Sequence, residues 1–208
     1  ENNRRRIVLL EAAARLLYRE VPPEVAWNDS RNRVIMATGP LGGTRVCGSG
    51  TFSAVSVGPM TGYATAAQAN GFFGAFLRLS GLEGIVLQGM APELCYLYIY
   101  DGKGELRRAE HLAGLDTWET EDAICKELGY PKAQMSVYSI GPAGENRVRF
   151  AGLFGDKGHA AAHNGLGAVL GSKRLKALAV ARGRQEVPLA DPEGLNRLVG
   201  PLFEHARD

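Results

Sequence analysis

His159 and His163 are the residues whose types and spacing most readily suggest chemistry. Four apart, they share one face if the segment is helical, a spacing at which two imidazoles can hold a metal. The glutamate of an H-E-x-x-H zinc site is absent, since position 160 is alanine, and no third ligand is apparent. Contact with a phosphate or with solvent fits the pair better than zinc. Two glycine-rich stretches, Gly62 to Gly74 and Gly155 to Gly171, point the same way. Each reads as the start of a helix, where unpaired N–H groups and the positive dipole end suit an anion. Small residues there let a ligand approach the backbone, or they serve tight helix–sheet packing; composition leaves both open. Neither stretch is a Walker A loop or a Rossmann fingerprint. Cys47, Cys95 and Cys125 include no C-x-x-C pair, so this chain alone builds neither a zinc ribbon nor a cluster site. Nothing near Cys47 in sequence activates it.

The elements that must position these residues are legible from propensity and period. Residues 8–20 are strong helix formers ending before Pro22-Pro23. Strands are expected at Arg33 to Ala37, Phe52 to Val57, Ile85 to Leu87 and Cys95 to Tyr100. Asp101-Gly102 turns the chain into Glu105 to Arg107. Phe72, Phe73 and Phe76 mark the buried face of a helix within Asn70 to Ser80. Thr117 to Leu128 is an amphipathic helix capped by Asp116 or Thr117. Ser136 to Ile140, Val148 to Leu153 and Ala177 to Val180 read as strands, with a helix at about 160–173 and another from Asp191. Lys173, Arg174 and Lys176 read as a charge cluster at a helix C-terminus. Tyr96, Tyr98 and Tyr100 share one side of a strand, a half-buried sheet face or a protein contact.

An internal repeat organises these elements. Gly39 to Val46 (GPLGGTRV) lies over Gly141 to Val148 (GPAGENRV) at an offset of 102. Asn70-Gly71 lies over Asn164-Gly165, and Ile85 to Gly89 over Ala179 to Gly183, at an offset of 94; the difference of 8 reads as one longer loop in the first half. Each half runs strand, Gly-Pro turn, strand, glycine-rich helix start, helix, strand. A pseudo-twofold pair of anion-binding helix starts suits a ligand with two similar phosphate-bearing halves. The expected fold is α+β: one domain over 1–190 made of two pseudo-symmetric repeats (about 33–90 and 135–183), with mixed β-sheets and packed helices. Residues 191–208 would begin a C-terminal helix or linker.

Composition excludes several classes. Over 208 residues the net charge is +2, from 24 Lys and Arg against 22 Asp and Glu, and 45% of residues are hydrophobic. That balance argues against disorder and gives no electrostatic reason to expect nucleic acid. No apolar run reaches the ~18 residues of a membrane span, and Ile7 to Leu10 is too short for a signal-peptide core. With three cysteines and no secretory signal, reduced thiols and a cytoplasmic home are expected.

The same segments carry a family resemblance. Ala37 to Leu41 (ATGPL), Asn70 to Gly74 (NGFFG), Ile140 to Asn146 (IGPAGEN) and Gly165 to Ala177 (GLGAVLGSKRLKA) resemble the N-terminal domain of the tungsten-containing aldehyde ferredoxin oxidoreductases, from about Leu16 to Gly183. The resemblance implies a pseudo-symmetric α+β base. On it sits a tungsten (or molybdenum) ion held by two pterin-dithiolenes, whose phosphates are bridged by magnesium. The repeat then means one half for each pterin. The implied cofactor-binding residues are Thr51, Gln68, Asn70, Gly71, His159, Ala160, Ala161, His163 and Gly165, with the backbone carbonyls of Gln68 and Ala160 on magnesium. No residue of this chain is implied as catalytic. The chain departs from the family pattern at Thr51, His159 and His163, where arginines are usual, and at Asn70, where glycine is. Hydroxyl and imidazole groups hold phosphate less firmly than guanidinium forks do.

The [4Fe–4S] cysteines and substrate channel of the family belong to later domains, so this chain alone binds no cluster and does not suffice for catalysis. As part of an enzyme it would serve oxidation of an aldehyde to a carboxylic acid, with electrons passing to a cluster and ferredoxin. Its partners would be the cluster-binding domains or subunits, ferredoxin and a second copy in a homodimer. The alternative is a non-catalytic cofactor-binding or assembly subunit without cluster domains of its own. A third reading, a redox scaffold meeting partners through Tyr96 to Tyr100, stays open at this point.

Overall fold

The computed structural model describes residues 9–205. Val8 and the basic start of the chain lie outside the described residues.

Helix α1 (Leu9–Glu20) is built of strong formers, carries a Glu11–Arg15 ion pair one turn apart at 2.7 Å, and stops before Pro22. It lays Ala13 and Leu17 on one face of a four-stranded sheet, against Ile35 and Val55. That sheet has the order β3-β2-β1-β4, all antiparallel, from β1 (Val34–Thr38), β2 (Phe52–Val57), β3 (Ala64–Ala69) and β4 (Gly84–Leu87). Helix α2 (Phe73–Leu79) covers its other face, burying Phe73, Phe76 and Leu77 on Val34, Met36 and Phe52. Phe72, expected on that buried face, is exposed at the helix start.

A second, mixed sheet has the order β6-β5-β10-β7-β8-β9. Its strands are β5 (Cys95–Tyr100), β6 (Lys103–Arg108), β7 (Met135–Ser139), β8 (Leu153–Gly155), β9 (His159–Ala161) and β10 (Leu175–Ala181), and only β5–β10 is parallel. Asp101 and Gly102, both at positive φ, close the β5–β6 hairpin. Helix α3 (Thr117–Leu128) covers the outer face of this sheet. Asp116 caps it, accepting from the Trp118 and Glu119 amides at 2.8 Å, while Glu119 returns the bond to the Asp116 amide at 3.0 Å. Under α3 lie Tyr96 and Tyr98, their hydroxyls satisfied by Glu127 at 2.7 Å and Tyr130 at 2.9 Å. That burial removes the tyrosine face as a surface for partners.

The remaining elements are α4 (Pro142–Glu145), α5 (Leu166–Ser172) and α6 (Pro192–His205). The central core lies between the sheets and belongs to both halves: Phe52 and Phe73 from the first, Tyr138, Leu166, Val169 and Leu178 from the second. The Tyr138 ring meets Phe52 edge-on at 4.9 Å between centroids and Phe73 at 5.4 Å.

The topology repeats. The order β1-β2-β3-α2-β4 in the first half returns as β7-β8-β9-α5-β10 in the second, with every corresponding strand pair antiparallel. The eight-residue difference is not a loop insertion. Strands β2 and β3 are six residues each around a six-residue turn, whereas β8 and β9 are three each around three, and the second half regains one residue before its helix. Three other expectations are corrected. Residues 62–74 and 155–171 are not simple helix starts, since each contains an edge strand before its helix. The expected helix at about 160–173 is the strand β9, a single 3-10 turn at His163–Gly165, and α5. Val148 to Gly152 form no strand; the chain turns there, and β8 begins at Leu153.

Lys173 and Lys176 are buried rather than solvated. Lys173 Nζ donates to the carbonyls of Asn32 at 2.5 Å and Gly89 at 3.0 Å, and Lys176 Nζ to Leu115 at 2.8 Å and to Glu145. Arg174 reaches the carbonyls of Ala91 and Pro92. Together they satisfy loop carbonyls that would otherwise be left unpaired.

Candidate functional site

The two halves meet at β3 and β9, each the outermost strand of its sheet. Among the described residues no backbone hydrogen bond joins these strands. Each therefore keeps one edge of backbone N–H and C=O groups outside any ladder. Gln68 lies on β3, and His159, Ala160 and Ala161 make up β9. Gln68 and Ala160 are exposed, and the Gln68 amide donates to Ser53 Oγ at 3.0 Å.

Around this junction the structure brings several expected residues together. Thr51 Oγ1 donates to Asn70 Oδ1 at 2.6 Å, tying the loop before β2 to the turn before α2. Gly71, at φ +93, lies where a Cβ would come 3.1 Å from His159 Cδ2 and 3.2 Å from the Tyr138 hydroxyl. His159 and His163 are both exposed, but they share no helix face: one is in β9 and the other in the 3-10 turn beyond it. Among the described residues no group of three His, Cys, Asp or Glu side chains could hold a metal. Gly165, at φ +77, is buried, and a Cβ there would run into the Arg149 carbonyl and come 2.7 Å from Pro59. Its neighbours in α5, Gly167 and Gly171, meet the backbone of Gly152 and Gly144 in the same way. The small residues at this helix start thus serve close packing of protein on protein.

Two functional candidates escaped the sequence reading. Asp156, in the β8–β9 turn, accepts from the Phe72 amide at 2.6 Å and from Ser136 Oγ at 2.8 Å. Burial pushes its carboxyl above the usual range, opposed by those two hydrogen bonds and by His159 nearby. Tyr138 donates its hydroxyl to the Asn70 carbonyl at 2.6 Å, and burial pushes its pKa up, holding the phenol protonated. The Asp-Lys-Gly tripeptide at 156–158 carries a hairpin-turn signal, but nothing local says what its carboxylate would meet.

The thiols take no part. Cys95 and Cys125 are buried, and desolvation raises both, Cys125 to about 11; Cys47 is exposed in a loop. A cavity of about 1040 Å³ lies away from the junction, between Gly43–Arg45 and the segment after β10 that includes Arg182, Arg184 and Val187. It holds none of the residues above. Among the described residues no helix is long and apolar enough to cross a membrane.

Residues 7–182 match the family described as "Aldehyde ferredoxin oxidoreductase, N-terminal domain". The chain belongs to that family. It is 44% identical over 178 residues to the tungsten-containing aldehyde ferredoxin oxidoreductase of Pyrococcus furiosus, covering 86% of this chain and 29% of that protein. It is also 34% identical over 168 residues to the aliphatic sulfonate oxidoreductase, WOR-like subunit, of the same organism, covering 76% of this chain and 26% of the relative. Among solved structures, the active site complex BamBC of benzoyl coenzyme A reductase, in complex with 1,5-dienoyl-CoA, superposes with a TM-score of 0.91 at 36% identity. That match covers 97% of this chain and 30% of the other. The chain thus spans less than a third of the length of these relatives. The match from residue 7 also takes in α1, which begins ahead of the stretch where the motifs are evident.

Proposed function

We propose that this chain is the cofactor-binding base of a tungsten- or molybdenum-pterin oxidoreductase, each half addressing one pterin. The observation that carries the reading is the junction of β3 and β9, where two edge strands lie side by side without a ladder. The donor set fits the group. A hard cation such as magnesium takes backbone carbonyl oxygens, here those of Gln68 and Ala160. Phosphate oxygens take amide, hydroxyl and imidazole donors, which Asn70, Thr51, His159 and His163 carry, with Gly71, Ala161 and Gly165 in the backbone between. When bound, the metal centre would supply the two-electron oxidation of a carbonyl carbon such as an aldehyde's. This chain would supply anchoring and electrostatics. Electrons would leave through a cluster held elsewhere in the protein, toward ferredoxin, in the cytoplasm.

Relatives named for an aldehyde and for a sulfonate, and a neighbour named for a benzoyl thioester, all share this base. A second reading, a subunit that binds or assembles the cofactor without turning it over, draws on the replacement of guanidinium groups by Thr51, His159 and His163.

Elemental analysis of the full-length protein decides. Two phosphorus atoms per tungsten or molybdenum, with magnesium, are expected. Protein purified from cells supplied with both metals and containing neither metal nor phosphorus would overturn the reading. Cofactor present without aldehyde-dependent reduction of a viologen dye would favour the second.

A further inference from the structure

The β8–β9 turn presents a carboxylate whose two oxygens are both engaged. Asp156 and Lys157 both adopt left-handed backbone, at φ +47 and +57, without being glycine. Such residues persist where their surroundings hold them. Here the holding groups come from both sides. The Lys157 amide donates to Glu121 on α3 at 3.1 Å, and Lys157 Nζ to the Trp118 carbonyl at 2.9 Å and Asp122 at 2.7 Å. On the opposite side, one Asp156 oxygen takes the Phe72 amide and the other the Ser136 hydroxyl. Two residues earlier in the chain, the Asn70 carbonyl takes the hydroxyl of fully buried Tyr138. The turn Asn70–Gly71–Phe72 belongs to the first half, and every group that fixes these two bonds belongs to the second.

We propose that Asp156 is a positioning residue: with Tyr138, it straps the Asn70–Phe72 turn onto the second half and so fixes the spacing between the two half-sites at β3 and β9. This rests on the cofactor-binding reading above. A cation held by the Gln68 and Ala160 carbonyls would have to be met by both halves at once, and a carboxylate with two separately engaged oxygens holds a turn more firmly than a neutral acceptor does. Supporting partners of this kind, once removed, weaken metal sites by about ten- to a hundredfold.

The test compares Asp156→Ala with Asp156→Asn in the full-length protein, reading retained magnesium and phosphorus after dialysis together with backbone amide exchange. In Asp156→Ala, exchange at Phe72 rises at least about tenfold while α3 and β10 keep their protection. Retained magnesium falls about tenfold. Asp156→Asn, which keeps an oxygen for the Phe72 amide, restores most of both. Wild-type magnesium and phosphorus in Asp156→Ala would overturn the proposal, and so would equal losses in the two variants. Where Asp156→Ala does not fold, Ser136→Ala is read instead. Faster Phe72 exchange with lowered magnesium then supports the strap, and unchanged values overturn it. A wild-type protein with no metal or phosphorus fails the cofactor-binding reading, and the strap is then decided by the selectivity of Phe72 exchange alone.

Discussion

The two halves of the chain share one topology and divide its chemistry unequally. The first half has the long β2–β3 hairpin and neutral side chains at the junction, Thr51, Gln68 and Asn70. The second has the short β8–β9 hairpin, both histidines and the half-buried carboxylate Asp156. Yet the contacts between them are reciprocal. The Asn70-Gly71 turn docks on Asp156 and Tyr138 of the second half. The Asn164-Gly165 turn docks on Pro59 and on Thr65, whose hydroxyl accepts from the Asn164 amide. Each half thus seats its Asn-Gly turn on the other half's hairpin, as the subunits of an isologous dimer would. The halves share a topology, while the histidines and the Asp156 carboxylate at the junction lie on one side.

That comparison can be broken at its tightest point. Gly165→Ala drives a Cβ onto the Arg149 carbonyl at a positive φ. A loss of about 3 kcal/mol or more in urea unfolding is expected, with the second half worst affected. A cost under about 1 kcal/mol would mean that the second turn is not packed as described.

Tyr138→Phe keeps the ring between Phe52 and Phe73 and strands the Asn70 carbonyl, which should cost about 1–2 kcal/mol. Unchanged thermal unfolding would show that the first turn does not depend on this bond.

His159→Arg sharpens the chemical difference between the halves. If the second half lost phosphate affinity with its guanidinium, the variant should retain phosphorus through dialysis several-fold better than wild type, by about 1 kcal/mol. Equal retention would remove His159 from the site.

Lys173 gives an effect confined to high pH. This second-half residue donates to two carbonyls at one end of the β1–β4 pair, Asn32 before β1 and Gly89 after β4. Burial lowers its pKa from 10.5 to about 8, so between those values the unfolded chain holds the extra proton and stability should rise with pH. Lys173→Met should flatten that rise, measured as the slope of unfolding free energy against pH. An identical slope would place the titration elsewhere.

Much of the architecture was legible because it is local. Strands β2 and β5, helix α3 and its Asp116 cap follow from alternation, helical period and one capping box, interactions that span only a few residues. The repeat was legible too, since glycine and proline at turns leave a fixed spacing behind. Strand β3 was not, because ATAAQA has a single β-branched residue, Thr65, and four alanines. Its conformation is set by pairing with β2, and β9 is set the same way by β8.

By itself the sequence determined the family, the α+β class and the repeated order of elements. Tertiary structure alone decided three things: that His159 and His163 share no face, that the glycines of α5 pack protein on protein, and that Asp156 reaches Phe72 across 84 residues of chain. Sequence motifs record spacing along the chain. Hydrogen bonds between the halves depend on distances that exist only after both sheets have closed on their common core.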